Sequence, residues 1–122
     1  MILIDSSSWI HQLRQRGNEK IRSRVNSLLA SGLAAWCPVI RLELWNGVGS
    51  EPDRQTLREY EQSLPELPIT DEIWQEACEL ADRCRKAGKT APAADLLIAA
   101  CARHHNVTVE AEDKHFEFLM KL

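Results

Sequence analysis

The sequence predicts an α/β protein: a three-layer α/β/α sandwich around a short parallel sheet. Two observations carry this expectation. Short apolar, β-favouring runs stand at residues 1–4, 33–37 and 107–109, each the kind of uninterrupted run a strand shows when both its faces are covered. Segments of helical period separate them, and strands alternating with helices build a parallel sheet covered on both sides.

The first strand is Met1-Ile2-Leu3-Ile4, which meets Asp5-Ser6-Ser7-Ser8, an abrupt change that resembles a buried strand ending at a helix cap. From about Trp9 to Ala30, Ile10, Leu13, Ile21, Val25, Leu28 and Leu29 recur among charges, and the turn signal Gly17-Asn18 divides the stretch into a helical hairpin. Ser31-Gly32 ends the second helix, Leu33 to Cys37 is the second strand, and Pro38 closes it before a helix from about Val39. Residues 47–52 read as a loop and Asp53 to Leu64 as a helix. Pro65 to Ile69 is an extended piece too rich in proline for a central strand. Thr70 or Asp71 caps a long helix that runs to about Lys86 and stops at Gly88. A further helix spans about Pro92 to His104, Val107-Thr108-Val109 is the last strand, and a short helix begins near Asp113.

At 122 residues, with 44% hydrophobic and 27% charged side chains, the chain is expected to form a single domain over residues 1–122. No apolar run approaches the roughly 20 residues that cross a bilayer, so no membrane role is expected and the protein is placed in the cytoplasm. Cys37, Cys78, Cys84 and Cys101 form no C-x-x-C pair and have no histidine at zinc-finger spacing, so they read as free thiols. A net charge of -3 argues against a surface coated with basic charge. Any nucleic acid must be gripped locally.

Four acids stand where chemistry is expected. Asp5 follows the first strand and Asp113 the last, and open α/β sheets place their sites at the carboxyl ends of strands. Either acid alone is better explained as a helix cap. Glu43 and Asp95 are more telling, because each shares a helix face with apolar residues. Glu43 falls among Val39, Ile40, Leu44 and Gly47, and Asp95 lies on the face of Ile98, Ala99 and Ala102. An unpaired buried carboxylate costs several kcal/mol, so these two need a cation, a network of donors or a proton. Arg41 points away from the Glu43 face, and the next base after Asp95 on its helix is Arg103, so neither acid has a partner on its own helix.

Clustered hard oxygen donors suit Mg2+, with Mn2+ a possible substitute. The constellation predicts phosphodiester hydrolysis by a metal-activated water, with Asp5, Glu43, Asp95 and Asp113 as catalytic and metal-ligating residues and no protein nucleophile.

The residues that carry this chemistry resemble those of the PIN-domain ribonucleases, and among them the VapC-type toxins of toxin–antitoxin systems. Ile2-Leu3-Ile4-Asp5-Ser6-Ser7-Ser8-Trp9 is similar to the family's opening strand and D-[TS]-S-x-W signature, which implies that Asp5 is a metal ligand and Ser7 an auxiliary hydroxyl. Glu43-Leu44-Trp45-Asn46-Gly47 resembles the E-L-x-x-G motif, Asp95-Leu96-Leu97-Ile98-Ala99-Ala100 the D-x-L-I-A-A segment, and Asp113-Lys114-His115-Phe116 the D-x-[DH]-F block. Ala111 departs from a frequent threonine, and Glu110 and Glu112 flank the last motif, so Asp113, Glu110 and Glu112 compete for the fourth corner. The resemblance implies a Mg2+-dependent endoribonuclease that leaves a 5'-phosphate and a 3'-hydroxyl, a homodimer, and a cognate antitoxin that blocks the site. The alternative is a catalytically silent PIN-like module acting through dimer and partner contacts.

Arg83, Arg85, Lys86 and Lys89, which lead into the Asp95 helix, are the favoured phosphate contacts for RNA; Arg14, Arg16, Lys20, Arg22 and Arg24 form a second basic group. Leu42 and Trp45 are expected to face outward. His104 and His105 read as structural residues at a helix end, and His115, lacking a nucleophile motif beside it, is left outside the catalytic set.

Overall fold

The computed structural model describes residues 1–14 and 16–122. Its elements run β1 (Ile2–Ile4), α1 (Ser6–Leu13), α2 (Glu19–Ala30), β2 (Ala34–Ala35), α3 (Pro38–Gly47), α4 (Glu51–Ser63), α5 (Asp71–Lys86), α6 (Ala93–His104), β3 (Thr108–Glu110) and α7 (His115–Leu119). The strands form one parallel sheet in the order β2-β1-β3, with Leu3 opposite Ala35 on one side and Val109 on the other. The expected class is therefore the observed one, a short parallel sheet flanked by helices.

Two strands are entered by the same device. After α2, Gly32 adopts φ 71 and the Leu33 N–H reaches back to Leu28 O; after α6, Asn106 adopts φ 56 and the Val107 N–H reaches back to Ala102 O. A left-handed residue just past the helix satisfies its last carbonyls and reverses the chain, and glycine and asparagine tolerate that conformation best. Each turn delivers the chain directly to the sheet.

The second strand is shorter than the apolar run predicted. Only Ala34–Ala35 pairs with β1, because Trp36 turns its backbone to the proline-rich segment, accepting from Leu67 N–H at 2.8 Å and donating to Pro65 O at 3.2 Å. Cys37 then serves as the N-cap of α3, with Pro38 in the first turn. The first helix starts at Ser6 rather than Trp9, since Asp5 itself is the cap, and the last begins at His115 rather than Asp113.

The core holds Leu3, Ile4, Trp9, Trp36, Ile40, Leu57, Ile73, Leu80, Ile98 and Leu119, all fully buried. Trp9, Trp36 and Tyr60 pack as a tilted and edge-on trio with ring centres 5.2–6.4 Å apart. Ala99 and Ala102 are also fully buried, and their small side chains let α6 lie close against its neighbours, β3 and α3 among them. Cys37, Cys84 and Cys101 are buried free thiols, while Cys78 is exposed. No helix is long and apolar enough to cross a membrane among the described residues.

Candidate active site

Asp5 stands directly beyond β1, and its burial is nearly complete at 3% exposure. One oxygen, Oδ2, accepts from the Ser7 hydroxyl at 2.6 Å and from the Ser7 backbone N–H at 3.1 Å, which is the cap of α1. The other, Oδ1, is buried without a hydrogen-bond partner in the described structure. The Ser7 hydroxyl also accepts from the Glu112 backbone N–H at 3.0 Å, so one side chain ties the end of β1 to the loop after β3.

Glu43 lies half-buried in the middle of α3, and its Oε1 accepts from the Ser6 hydroxyl at 3.2 Å. Arg41 does point elsewhere, to Glu66 at 2.6 Å and Glu61 at 3.5 Å. Asp95 is 6% exposed and sits in the first turn of α6, where the backbone N–H groups favour a negative charge. Asp113 follows β3, with Oδ1 accepting from the His115 backbone N–H at 3.0 Å.

The four carboxylates influence one another electrostatically. Burial pushes Asp5 and Glu43 up, and the neighbouring acids add to it: Asp113 acts on Asp5, and Asp5 and Asp113 both act on Glu43. Asp95 is pushed up to about 7, chiefly by burial, then by its contact with the Asp113 side chain and by the charges of Asp113 and Asp5. Asp113 moves down. Partial burial works against its charge, but the His115 backbone N–H, the shared proton with Asp95 and the His115 ring together outweigh that. Acids held this close disfavour one another's charged forms, and a cation among them would relieve that repulsion. The orphaned Oδ1 of Asp5 fits such a group, as do the hard oxygen donors around it.

The three acids after β3 have different partners. Arg24 of α2 donates to Glu110 at 2.5 Å and to Glu112 at 2.6 Å, which engages both acids as partners of a surface guanidinium. Asp113 alone of the three contacts Asp95.

Two neighbours, His115 and Ser6, escaped sequence reasoning, and a third, Arg14, belongs to the less favoured basic group. His115 Nδ1 lies 3.0 Å from Asp95 Oδ2 and 2.6 Å from Asp113 Oδ1, inside the cluster from which it had been left out. Ser6 holds Glu43, and Arg14 lines a groove of about 250 Å³ shared with Glu43, Ile10, Leu13 and Val48. The D-x-[DH]-F block and the triple serine were visible signals for the first two.

The favoured basic group divides. Lys89 Nζ sits 5.1 Å above the Phe118 ring, and Phe118 stacks edge-on to His115, so Lys89 borders the cluster. Lys86 pairs with Asp82, and Arg83 lines a separate cleft with Glu76, Arg103 and His104. Trp45 is half-buried with its indole N–H on Glu61, which corrects the expectation that it faces outward; Leu42, 68% exposed, does face outward.

A short parallel sheet whose carboxyl edge gathers carboxylates into one cation-suited cluster is an arrangement suited to metal-assisted chemistry on phosphates, the class to which metal-dependent nucleases belong. The PIN domain profile matches residues 2–119, and the chain belongs to that family. It is 31% identical to ribonuclease VapC11 of Mycobacterium tuberculosis, over 100% of this chain and 93% of that one. It is 33% identical to ribonuclease VapC21 of the same species, over 80% and 72%. Among solved structures, FitAcB from Neisseria gonorrhoeae superposes with a TM-score of 0.75 at 21% identity, covering 100% of this chain and 94% of that one.

Proposed function

We propose that residues 1–122 form one nuclease domain that hydrolyses RNA phosphodiesters as the toxin of a toxin–antitoxin pair, with Asp5, Glu43, Asp95 and Asp113 holding Mg2+, or Mn2+ in its place. The observation that carries this reading is the buried, unpartnered Oδ1 of Asp5 within a cluster of four acids. A cation bound there supplies an acidified water and charge neutralisation at the phosphate.

The chain's own residues prepare that chemistry. Ser7 fixes the rotamer of Asp5, and Ser6 that of Glu43, so two oxygens are aimed before a ligand arrives. Burial and the neighbouring acids hold Asp95 well above the usual carboxylate range, at about 7, so a cation bound there would favour its charged form. Arg14, in the groove beside Glu43, and Lys89, beside His115, are placed to meet flanking phosphates.

The relatives' names support an RNA substrate, since VapC11 and VapC21 are called ribonucleases. Solved neighbours include a toxin–antitoxin complex from Klebsiella pneumoniae, which supports an antitoxin partner, and a homodimer is proposed with it. The proposed compartment is the cytoplasm, where free thiols stay reduced. The four acids and the serines bonded to two of them argue against a silent binding module, for which Ala111 is the only support.

Induced expression followed by mapping of 5'-phosphate ends in cellular RNA tests the reading. Growth arrest with discrete cuts is expected, both absent for Asp95→Asn. Arrest without new ends, or equal cutting by the variant, would overturn it.

A further inference from the structure

His115 is the nitrogen-bearing member of a cluster otherwise made of carboxylates. His115, Asp95 and Asp113 each offer a ligand atom within 4.8 Å of the others, and the His115 Nδ1 lies 3.0 Å from Asp95 Oδ2 and 2.6 Å from Asp113 Oδ1. Adjacent ligands of an octahedral ion with bonds of about 2.1 Å stand about 3 Å apart, so these spacings are those of neighbouring ligand atoms. The ring is held in this pose. Its backbone N–H is tied to Asp113, and its face meets Phe118 edge-on with centres 6.0 Å apart, while Lys89 lies over Phe118. Independently, Asp5 brings a buried oxygen without a partner within electrostatic reach of Asp95 and Asp113.

We propose that His115 Nδ1 is a ligand of the same divalent cation, which makes the centre a mixed imidazole–carboxylate site that prefers Mn2+ to Mg2+. The inference rests on the cation reading above and adds to it a ligand and a selectivity. Carboxylate and water suit magnesium and manganese alike, whereas imidazole suits the first-row transition metals; magnesium dehydrates reluctantly and gains little from a nitrogen donor. Replacing the nitrogen with an amide should therefore weaken manganese more than magnesium.

The alternative role for His115 is that of a counter-charge, donating a proton to Asp95 and Asp113 and leaving when an ion arrives. The two roles differ in whether nitrogen touches the metal. Pulsed electron paramagnetic resonance of the Mn2+-loaded protein reads this directly, and calorimetric titration with Mn2+ and with Mg2+ reads the preference. The expected result is modulation from a directly coordinated nitrogen in the wild type, lost in His115→Gln, with the ratio of Mn2+ to Mg2+ affinity falling by about tenfold or more. Mn2+ that binds, is lost in Asp95→Asn, yet shows no coordinated nitrogen and an unchanged ratio in His115→Gln would overturn the ligand role and leave the acidic centre standing. No saturable binding of either ion by the wild type would overturn the cation reading itself, and this proposal with it.

Discussion

The Ser7 hydroxyl donates to Asp5 Oδ2 at 2.6 Å while accepting from the Glu112 backbone N–H at 3.0 Å. One small side chain thus orients an acid of the candidate site and joins the edges of two strands. Ser7→Ala removes both contacts, so we expect a loss of about 1 kcal/mol in stability and a ten- to hundredfold drop in cation affinity, roughly the effect of losing a group that orients a ligand. Urea unfolding and Mn2+ titration check the two effects separately.

Asp95 gives the cation-free protein a pH dependence. Its pKa is 3.8 in an unfolded chain and about 7 when folded. Between these values the folded state binds more protons than the unfolded one, so stability is fully present below the unfolded pKa and is lost as pH rises through the folded one. Asp5 and Glu43, also raised, act in the same direction; Asp113, lowered, contributes stability that is lost as pH falls. Melting temperature without cation should therefore decline as pH rises from 3.8 to about 7. Asp95→Asn should flatten the decline, as should saturating Mg2+. A decline of equal size in the variant would contradict the assignment.

Arg24 binds Glu110 and Glu112 at the surface, which predicts a division of labour among the three acids after β3. Glu110→Gln and Glu112→Gln should keep most RNA cleavage and lose at most about 1 kcal/mol each, as exposed ion pairs do. Asp113→Asn should lose cleavage. Initial rates on one RNA substrate rank the three variants.

Ala99 is fully buried on α6, and a larger side chain there would push the helix that carries Asp95 away from its neighbours. Ala99→Leu should destabilise by about 1–3 kcal/mol through overpacking. Calorimetric melting measures the loss, and a variant as stable as the wild type would show that the α6 contact has slack.

What could be read from the chain was whatever its local pattern carries. Asp95 declared itself by sitting on an apolar face, and Asp5 by following an apolar strand into serines; both are buried as that pattern requires. His115, Ser6 and Arg24 act through contacts that span 20, 37 and 86 residues of chain, and no local period encodes such pairings. The second strand was overestimated for the same reason. Trp36 looks like strand in its own neighbourhood, but its backbone partners lie at Pro65 and Leu67. Basic residues before α6 were favoured for leading into the site in sequence, whereas the groove beside Glu43 is lined by Arg14 from the other end of the chain.

The central claim is that clustered acids hold a cation that cuts RNA, and cleavage of a labelled RNA by the purified protein tests it most directly. With Mg2+ or Mn2+ we expect cleavage that stops on chelation and is lost in both Asp5→Asn and Asp95→Asn. Cleavage that survives chelation, or that persists in either variant, would contradict the account.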